Sequence, residues 1–372
     1  AQTKLSADLR VNLSEKIYNI YLNKPFEFHL NNNSSKLIRN IDEVSLVVGI
    51  IKFIITASTE FIIFFGISAF VIWYEPVGSI IIILFFGLFG YFFSHAVQQK
   101  VKKWGETRQN HSGLRLKYLN EGFRLIKYAK ILQKTQELIK IYTDNNKILN
   151  LCEIKQNFTD SLPKLWLEWL IVLAFTLVVF TMILLGKEAQ YIVPLMGLFA
   201  AAAYRIMPSL TRIMNCIQNI IYNKPALDTI YDEFKNNNNK SIMFVNNKKN
   251  FSFKKCITIK NVNFKYSQSK SFILKNLNLN INQGDTIGII GESGKGKTTL
   301  INIILGLLKP TDGQVKVDDK DIFDNLENWQ KKIGYVSQDV FLSDDTIKKN
   351  IAFGINEEKI DNTKVKSALK NS

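Results

Sequence analysis

Long apolar stretches dominate the first two thirds of the chain. Four of them, over residues 45–72, 77–94, 165–185 and 191–222, are long enough for a membrane-spanning helix, which needs about 20 residues. The run 80–86 is apolar on every side, which favours contact with lipid over burial in a soluble core. The pattern therefore predicts an α-helical transmembrane domain over residues 1–235.

The segments around these spans have helical spacing but polar surfaces. Residues 11–28 predict a helix that leads into a turn at 31–35, and residues 98–160 predict a long helical hairpin with a turn near 120–122. Both elements lie on the side of the first span that carries Lys36 and Arg39, which indicates the cytoplasmic side.

The positive charge of the chain follows the same topology. The formal net charge is +16, and residues 98–164 hold 14 Lys and Arg against 6 Asp and Glu. The short connections 73–76 and 186–190 are nearly free of basic residues, so the hairpin is predicted to be cytoplasmic and the connections external. Since membrane topology accounts for the charge, we expect no nucleic-acid partner. The three cysteines and three histidines are scattered, which predicts no metal site of their own.

The pattern changes after a polar, Asn-rich linker at 236–250. Alternating apolar positions predict strands at 257–266, 277–281 and 314–317, and the apolar run 286–290 predicts a buried strand followed by a helix over 300–308. Residues 251–372 are therefore predicted to form a soluble α/β domain.

Between that strand and that helix lies a phosphate-binding loop of the pattern G-x-x-x-x-G-K-[ST]. Its glycines at 291, 294 and 296 let the backbone turn its N–H groups toward phosphate oxygens. Lys297 is predicted to reach the β- and γ-phosphates, and the Thr298 hydroxyl to bind Mg²⁺; Lys295 has no assigned role. The predicted nucleotide-contacting residues are Gly291, Glu292, Ser293, Gly294, Lys295, Gly296, Lys297, Thr298 and Thr299.

Membrane helices followed by this loop resemble an ABC exporter half-transporter, a transmembrane domain fused to an ATP-binding domain. Tyr266 lies 25 residues before the loop, where the resemblance implies an aromatic ring stacked on adenine. Gln338 lies 41 residues after Lys297 and matches the Q-loop glutamine, which the resemblance implies to contact Mg²⁺ and the attacking water. Residues 340–347 and 350–354 also resemble the segment after the Q-loop in exporters.

The resemblance covers essentially the whole chain and implies further features. The four spans correspond to transmembrane helices three to six, and the turns near 24–35 and 120–128 would hold coupling helices, although solvated loops remain the alternative. The signature Leu-Ser-Gly-Gly-Gln, a strand ending in Asp-Glu and a switch histidine do not occur; in the family they lie beyond the position of Ser372. We therefore expect an internal piece of a longer, dimeric ATPase, which holds part of an ATP site, lacks the catalytic base and is inactive alone.

A narrower resemblance concerns the substrate. Residues 204–212 and 162–168 are similar to the lipid-linked oligosaccharide flippases of bacterial protein N-glycosylation. This implies ATP-driven flipping of a polyprenyl-pyrophosphate-linked oligosaccharide across the bacterial inner membrane by a homodimer with cytoplasmic nucleotide-binding domains. Export of another lipid, a peptide or a toxin is the alternative, as is a membrane protein that binds ATP without transport.

Charged residues within the spans are candidates for substrate contact, because a charge at the bilayer centre costs about 2.5–3.5 kcal/mol. Arg205 and Arg212 are seven residues apart on one helix face, around Pro208, which is expected to kink the helix. Two guanidinium groups suit a pyrophosphate. Alternatively, Arg212 reaches the inner interface and Arg205 pairs with Glu60 or Glu168. Lys52 lies near the cytoplasmic end of its span, where its ammonium is expected to reach water.

Overall fold

The structure, a computed structural model, describes residues 2–238, 253–338, 340 and 342–371. It divides into two compact units, residues 1–243 and 244–372. Most of the predicted linker at 236–250 lies outside the described residues, whereas 236–238 belong to the last helix of the first unit.

The first unit opens with three helices that differ from the single helix predicted over residues 11–28. Helix α1 covers Gln2–Leu22, α2 covers Phe26–Asn31 and α3 covers Ser34–Asp42. The prediction was wrong about the end of α1, because Pro25 lacks an N–H group and disfavours helical geometry at the residue before it. The predicted turn at 31–35 is confirmed: Asn33 caps α3, its side chain accepting a hydrogen bond from the Ser35 N–H at 2.8 Å.

Four long helices form the body of this unit. They are α4 (Val44–Tyr74), α5 (Pro76–Arg124), α7 (Thr135–Leu184) and α8 (Ala189–Asn238), with the short α6 (Ile126–Ile131) between α5 and α7. The predicted helical hairpin is confirmed, but α5 continues through the expected turn near 120–122 and ends at Arg124. Helix α8 also continues through Pro194, Pro208 and Pro225 as one element of 50 residues.

Within the described part of the chain, three segments are long and apolar enough to cross a membrane. They are Ser34–Tyr74, Thr135–Leu184 and Ala189–Asn236; they contain the first and fourth predicted spans and all but the last residue of the third. The remaining predicted span, 77–94, lies within α5, and its side chains at 77, 81–85, 89 and 94 are outside those that the structure describes. Large apolar side chains of the confirmed spans, such as Trp169 and Phe180, are exposed, as expected for a lipid-facing surface.

Two apolar clusters hold the helices together at opposite ends of the spans. One, near the start of α4, joins α1 to α4 and α8 and contains Ile17, Tyr21, Val44, Val47, Val48 and Ile230. The other, near the end of α4, joins α4, α7 and α8 and contains Val71, Val178, Met182, Leu195 and Phe199.

A polar cluster ties α3, α5 and α8 together near the first of these apolar clusters. The carboxylate of Glu43, which is 4% exposed, lies 3.7 Å from Arg108 Nη2 and accepts a hydrogen bond from Gln109 Nε2 at 3.0 Å. Gln109 also donates to the carbonyl oxygen of Pro225 at 3.1 Å. Because these partners come from different helices, the cluster fixes the position of α8 against α5.

The backbones of α5 and α8 also touch directly. A Cβ atom placed on Gly105 would lie 2.2 Å from the carbonyl oxygen of Tyr222. Atoms cannot approach so closely without overlap, so only glycine at position 105 permits this helix crossing.

The second unit is built around an antiparallel sheet of four strands in the order β2-β1-β3-β4. The strands are β1 (Cys256–Phe264), β2 (Leu274–Asn282), β3 (Asp312–Val317) and β4 (Lys320–Asp321). They contain or overlap the three strands predicted from alternation. Ile259, Val262 and Val315 are buried, which places the apolar face of the sheet in the core.

The predicted strand over 286–290 does not form. These residues have no regular secondary structure, and Ile290 is 98% exposed. A strand is stable only when a neighbour completes its ladder of hydrogen bonds, and none of the four described strands pairs with this segment. The apolar composition was correctly recognised, but composition alone does not supply a pairing partner.

The remaining helices of this unit are short. Helix α9 covers Lys297–Ile304, α10 covers Leu326–Gln330, α11 covers Ile347–Ile351 and α12 covers Asn362–Asn371. Trp329 of α10 is buried and donates its indole N–H to the carbonyl oxygen of Ile304 at 2.8 Å, so α10 packs at the end of α9.

Candidate functional site: a phosphate loop at the start of α9

The loop at 291–296 is shaped by two glycines with left-handed backbone geometry. Gly294 has φ 81° and Gly296 has φ 89°, and α9 begins at the next residue, Lys297. Residues with a Cβ atom adopt such angles at a cost. Gly291 has no positive φ and open space around it, so its predicted role in tightening the turn falls to Gly294 and Gly296.

Gly296 is required for a second reason, which is space. A Cβ atom there would lie 2.8 Å from Ile273 Cγ2 and 3.0 Å from Leu274 Cδ2. The start of β2 therefore presses against the base of the loop and positions the start of α9.

The ammonium group of Lys297 is folded back over the loop. Its Nζ donates to the carbonyl oxygens of Gly291 at 2.6 Å and Glu292 at 2.8 Å. A cation therefore sits inside the turn, beside the N-terminus of α9, where the helix dipole also favours an anion. Lys295 instead points to Glu292, with Nζ 3.7 Å from the carboxylate, and both side chains are exposed.

The two threonines after Lys297 have different surroundings. Thr298 is exposed, so its hydroxyl is accessible to a bound ion, whereas Thr299 is only 6% exposed. The Thr299 hydroxyl lies 3.2 Å from the Tyr266 hydroxyl. The Tyr266 ring in turn packs edge-on against Phe264, with centroids 5.0 Å apart and an interplanar angle of 86°.

Tyr266 is thus brought to the first turn of α9, although 33 residues separate it from Thr299. The left-handed glycines, the helix N-terminus, the lysine ammonium and an aromatic ring beside them suit an anionic phosphate chain that carries a base. The residues present therefore fit a nucleoside triphosphate.

The structure does not bring Gln338 into this cluster. Gln338 is exposed, and within the described residues no hydrogen bond joins it to the loop. The next segment is fixed by Asn350, whose side chain accepts from the Ser343 N–H at 2.9 Å and donates to the Ser343 carbonyl at 3.1 Å. The proposed role of Gln338 toward Mg²⁺ and water remains a prediction.

Comparison with known families decides what kind of protein carries this loop. The family model described as "ABC transporter transmembrane region" matches residues 1–214, and the model described as "ABC transporter" matches residues 274–372. The first match alone covers more than half of the chain. The chain belongs to the ABC transporter family. It joins the membrane region of that family to its ATP-binding domain, as in an exporter half-transporter.

Curated relatives of this ABC transporter match a limited segment. A putative multidrug export ATP-binding/permease protein of Staphylococcus aureus is 41% identical over 117 residues, which are 30% of this chain and 20% of that protein. The ATP-dependent lipid A-core flippase of Cupriavidus pinatubonensis is 36% identical over 115 residues, again 30% of this chain and 20% of the relative. The matches span about a fifth of the length of these relatives.

A solved structure of a bacterial Atm1-family ABC exporter with ATP bound has the same fold. The TM-score is 0.78 at 16% sequence identity, and the match covers 99% of this chain and 64% of the other. At this identity the likeness shows the fold alone.

The membrane region of this ABC transporter holds a buried carboxylate that pairs with one of the two candidate arginines. Glu60 of α4 is 5% exposed and accepts from Ser209 Oγ at 2.6 Å and from Arg212 Nη1 at 2.5 Å. The alternative in which Glu60 pairs with Arg205 is therefore wrong. Arg212 of α8 reaches Glu60 of α4. Arg205 lies seven residues, or nearly two helical turns, from Arg212 and does not reach Glu60.

The other two candidates face outward. Arg205 and Glu168 are both exposed, and within residues 2–238 neither forms an ion pair, so the expected alternative pairing of Arg205 with Glu168 is not formed either. Lys52 is exposed, as its predicted position near the cytoplasmic end of its span requires. Sequence reasoning missed Ser209, a small polar residue between the two arginines whose position next to Glu60 only packing reveals.

Proposed function

We propose that this protein is a half-transporter, with its own membrane and ATP-binding parts, of an exporter that moves a lipid-like substrate outward across a membrane. One observation supports the proposal above all. The same chain contains helices long enough to cross a membrane and a phosphate loop in which the lysine ammonium already lies inside the turn. Bound ATP supplies the free energy of phosphoryl transfer, and Mg²⁺ accompanies it in such sites.

Each loop residue has a defined task in this proposal. Lys297 exchanges its carbonyl partners for phosphate oxygens, Thr298 holds Mg²⁺, and Tyr266 stacks on the base. Gln338 orients the attacking water and contacts the metal. The backbone N–H groups of the loop, including those of Glu292 and Ser293, complete the phosphate cradle.

The two short helices are proposed as the coupling elements. Helix α2 follows the break at Pro25, and α6 separates the two long helices α5 and α7. Both lie where the sequence resemblance placed coupling helices, and short helices at the tips of long ones are suited to transmit displacement. We place the ATP-binding domain in the cytoplasm of a bacterial cell, on the side of the basic hairpin, with a homodimer as the working assembly.

The substrate we favour is a polyprenyl-pyrophosphate-linked oligosaccharide. Arg205 and Arg212 lie about 10 Å apart along α8, and both have exposed side chains within a membrane span. Arginine binds pyrophosphate oxygens bidentately. Because Glu60 holds only one edge of Arg212, the rest of that guanidinium group is available to an anion.

A second candidate is another amphipathic lipid. It is supported by the similarity to a protein named as a lipid A-core flippase, whereas similarity to a putative multidrug exporter supports small apolar cargo. Lipid A also carries phosphate groups, so the arginines alone do not separate these substrates.

The experiment is ATPase measurement on the intact protein reconstituted in liposomes. We expect stimulation by a polyprenyl-pyrophosphate-linked glycan, and loss of that stimulation in Arg205→Ala with basal turnover unchanged. Lys187→Ala is the control. Lys187 lies in the short connection between α7 and α8, and its variant should retain stimulation. Stimulation by lipid A alone would favour the second candidate, and ATP binding without turnover would favour a non-transporting protein.

A further inference from the structure

The helices of the first unit enclose a cavity of about 320 Å³. It lies between α5, α7 and α8, with Phe64 of α4 at one side. Its lining includes Phe86, Gly90, Val97, Leu167, Ile213 and Ile217. The volume is in the range of small-molecule binding sites, which begins at about 300 Å³.

One buried side chain in the lining carries an oxygen that has no hydrogen-bond partner among the described residues. Gln218 of α8 is 6% exposed, and its Oε1 has no hydrogen-bond partner among the described residues. Burying an amide oxygen without a donor is unfavourable, because the oxygen loses its hydrogen bonds to water. Gln98, which also lines the cavity, is exposed. The cavity thus presents an unsatisfied acceptor on a wall whose other described residues, apart from Gln98, are apolar or glycine.

A second, smaller cavity continues the first along α8. It has a volume of about 60 Å³ and shares Phe86 and Leu210 with the larger one. Ser68, which lines it, is 6% exposed and its Oγ likewise has no partner among the described residues. The α8 lining runs from Phe199 to Ile221, a rise of about 33 Å, close to the thickness of the hydrocarbon core of a bilayer.

The charge of the lining residues restricts the chemical class of ligand that the two cavities can bind. No ionisable side chain is among the described lining residues of either cavity, so a charged headgroup would have no counter-ion there. A hydrocarbon chain fits the aromatic and aliphatic walls, and a hydroxyl or amide N–H would satisfy Gln218 Oε1. The exposed arginines of α8, in contrast, are positively charged and suit an anionic ligand.

We propose that each subunit binds one long hydrocarbon chain with a neutral hydrogen-bond donor inside this bundle, with the donor on Gln218. The surrounding bilayer is the source of the ligand. This site goes beyond the transport function proposed above, because it needs neither nucleotide nor the arginines.

Glycines in the lining make the proposal testable. A Cβ atom on Gly90 meets nothing within 4 Å, so Gly90→Leu would fill the cavity rather than overlap with backbone. Gly66 of α4 also has open space around it but does not line either cavity, which makes Gly66→Leu the matched control.

The experiment measures displacement of a pyrene-labelled long-chain alcohol from the intact, detergent-purified protein without nucleotide. We expect saturable binding that hexadecanol competes better than hexadecane, and much better than hexadecyl phosphate. Gly90→Leu should lower the affinity at least tenfold, and Gly66→Leu should not. Gln218→Leu should lower the affinity for hexadecanol about tenfold, which is the loss of one hydrogen bond, and leave hexadecane unchanged.

Several results would overturn the proposal. They are non-saturable uptake in the wild type, equal binding in Gly90→Leu, or preference for hexadecyl phosphate. Should Gly90→Leu fail to fold, the hexadecanol-to-hexadecane ratio in Gln218→Leu decides alone, and an unchanged ratio rejects the site. If the alcohol does not bind in the cavity but lipids still stimulate the ATPase activity, this site is rejected and the proposed function is retained. If the alcohol binds but lipids do not stimulate the ATPase activity, the site is retained and the proposed function is rejected.

Discussion

Glu60 and Arg212 form an ion pair across α4 and α8 in which one partner is buried and the other is not. Their side chains are 7% and 54% exposed, and Arg212 Nη1 lies 2.5 Å from Glu60 Oε1. The two members of the pair therefore depend on each other to different degrees. An exposed guanidinium group has water as a substitute, whereas the buried carboxylate has, among the described residues, Ser209 as its other hydrogen-bond partner.

This asymmetry predicts unequal effects of removing either partner. Arg212→Gln should destabilise the folded membrane region by about 1–3 kcal/mol, because it leaves Glu60 underpaired. Glu60→Gln should cost less, since its amide oxygen still accepts from Ser209. Thermal unfolding of the detergent-solubilised protein would measure both, with the double variant expected near Glu60→Gln. Equal losses in the two single variants would argue against the asymmetry.

The position of the Lys297 ammonium inside the loop leads to a second prediction, which concerns the affinity for nucleotide. Lys297→Ala removes the ammonium that lies within the loop and should weaken ATP binding about 10- to 100-fold, as expected for hydrogen bonds to charged groups. Lys295→Ala is the control, since that lysine pairs with the exposed Glu292 and should change affinity by less than about twofold. Displacement of a fluorescent ATP analogue measures both; comparable losses would contradict the assignment.

Variants of Tyr266 allow the contribution of the base to ATP affinity to be measured separately from that of the phosphates. Tyr266→Ala should weaken ATP binding by about 1–3 kcal/mol, the contribution of stacking, without changing the affinity for inorganic triphosphate, which has no base. Tyr266→Phe keeps the ring and loses only the contact with Thr299, so its ATP affinity should stay close to that of the wild type. If Tyr266→Ala weakens triphosphate equally, the residue supports the loop rather than the base.

The crossing of α5 and α8 yields a prediction on packing. Gly105→Ala places a methyl group against the Tyr222 carbonyl and should lower stability by about 2 kcal/mol or more through overpacking. Gly122→Ala in the same helix meets no atom within 4 Å and should raise stability by about 0.5–1 kcal/mol through helix propensity. Melting temperatures of the two variants should therefore move in opposite directions.

Sequence patterns predicted the features that depend on neighbouring residues along the chain. Three membrane spans, the helical hairpin, three strands and the phosphate loop all followed from run length, alternation or a fixed spacing. The end of α1 could have been predicted too, since Pro25 is visible in the sequence and breaks a helical pattern.

Features that depend on partners distant in sequence could not be predicted in this way. The apolar run 286–290 lacked the neighbouring strand that its prediction assumed, and the charges of the spans were recognised without their pairing. Glu60 and Arg212 are separated by 152 positions, and Gly105 and Tyr222 are also far apart along the chain. Gln218 did leave a trace, as a polar residue on an apolar helix face, and a search for such exceptions along α8 would have found it.

The contact between Gly105 and the Tyr222 carbonyl also has a mechanical meaning. Two helices that touch backbone to backbone have no flexible side chain between them, so the contact would be the pivot point if α5 tilted against α8. About 29 Å of helix lies between Gly105 and Arg124, and about 44 Å lies between Gly105 and Pro76. If α5 tilts as a rigid rod, a push at its end near α6 swings the opposite end the other way, about 1.5 times as far.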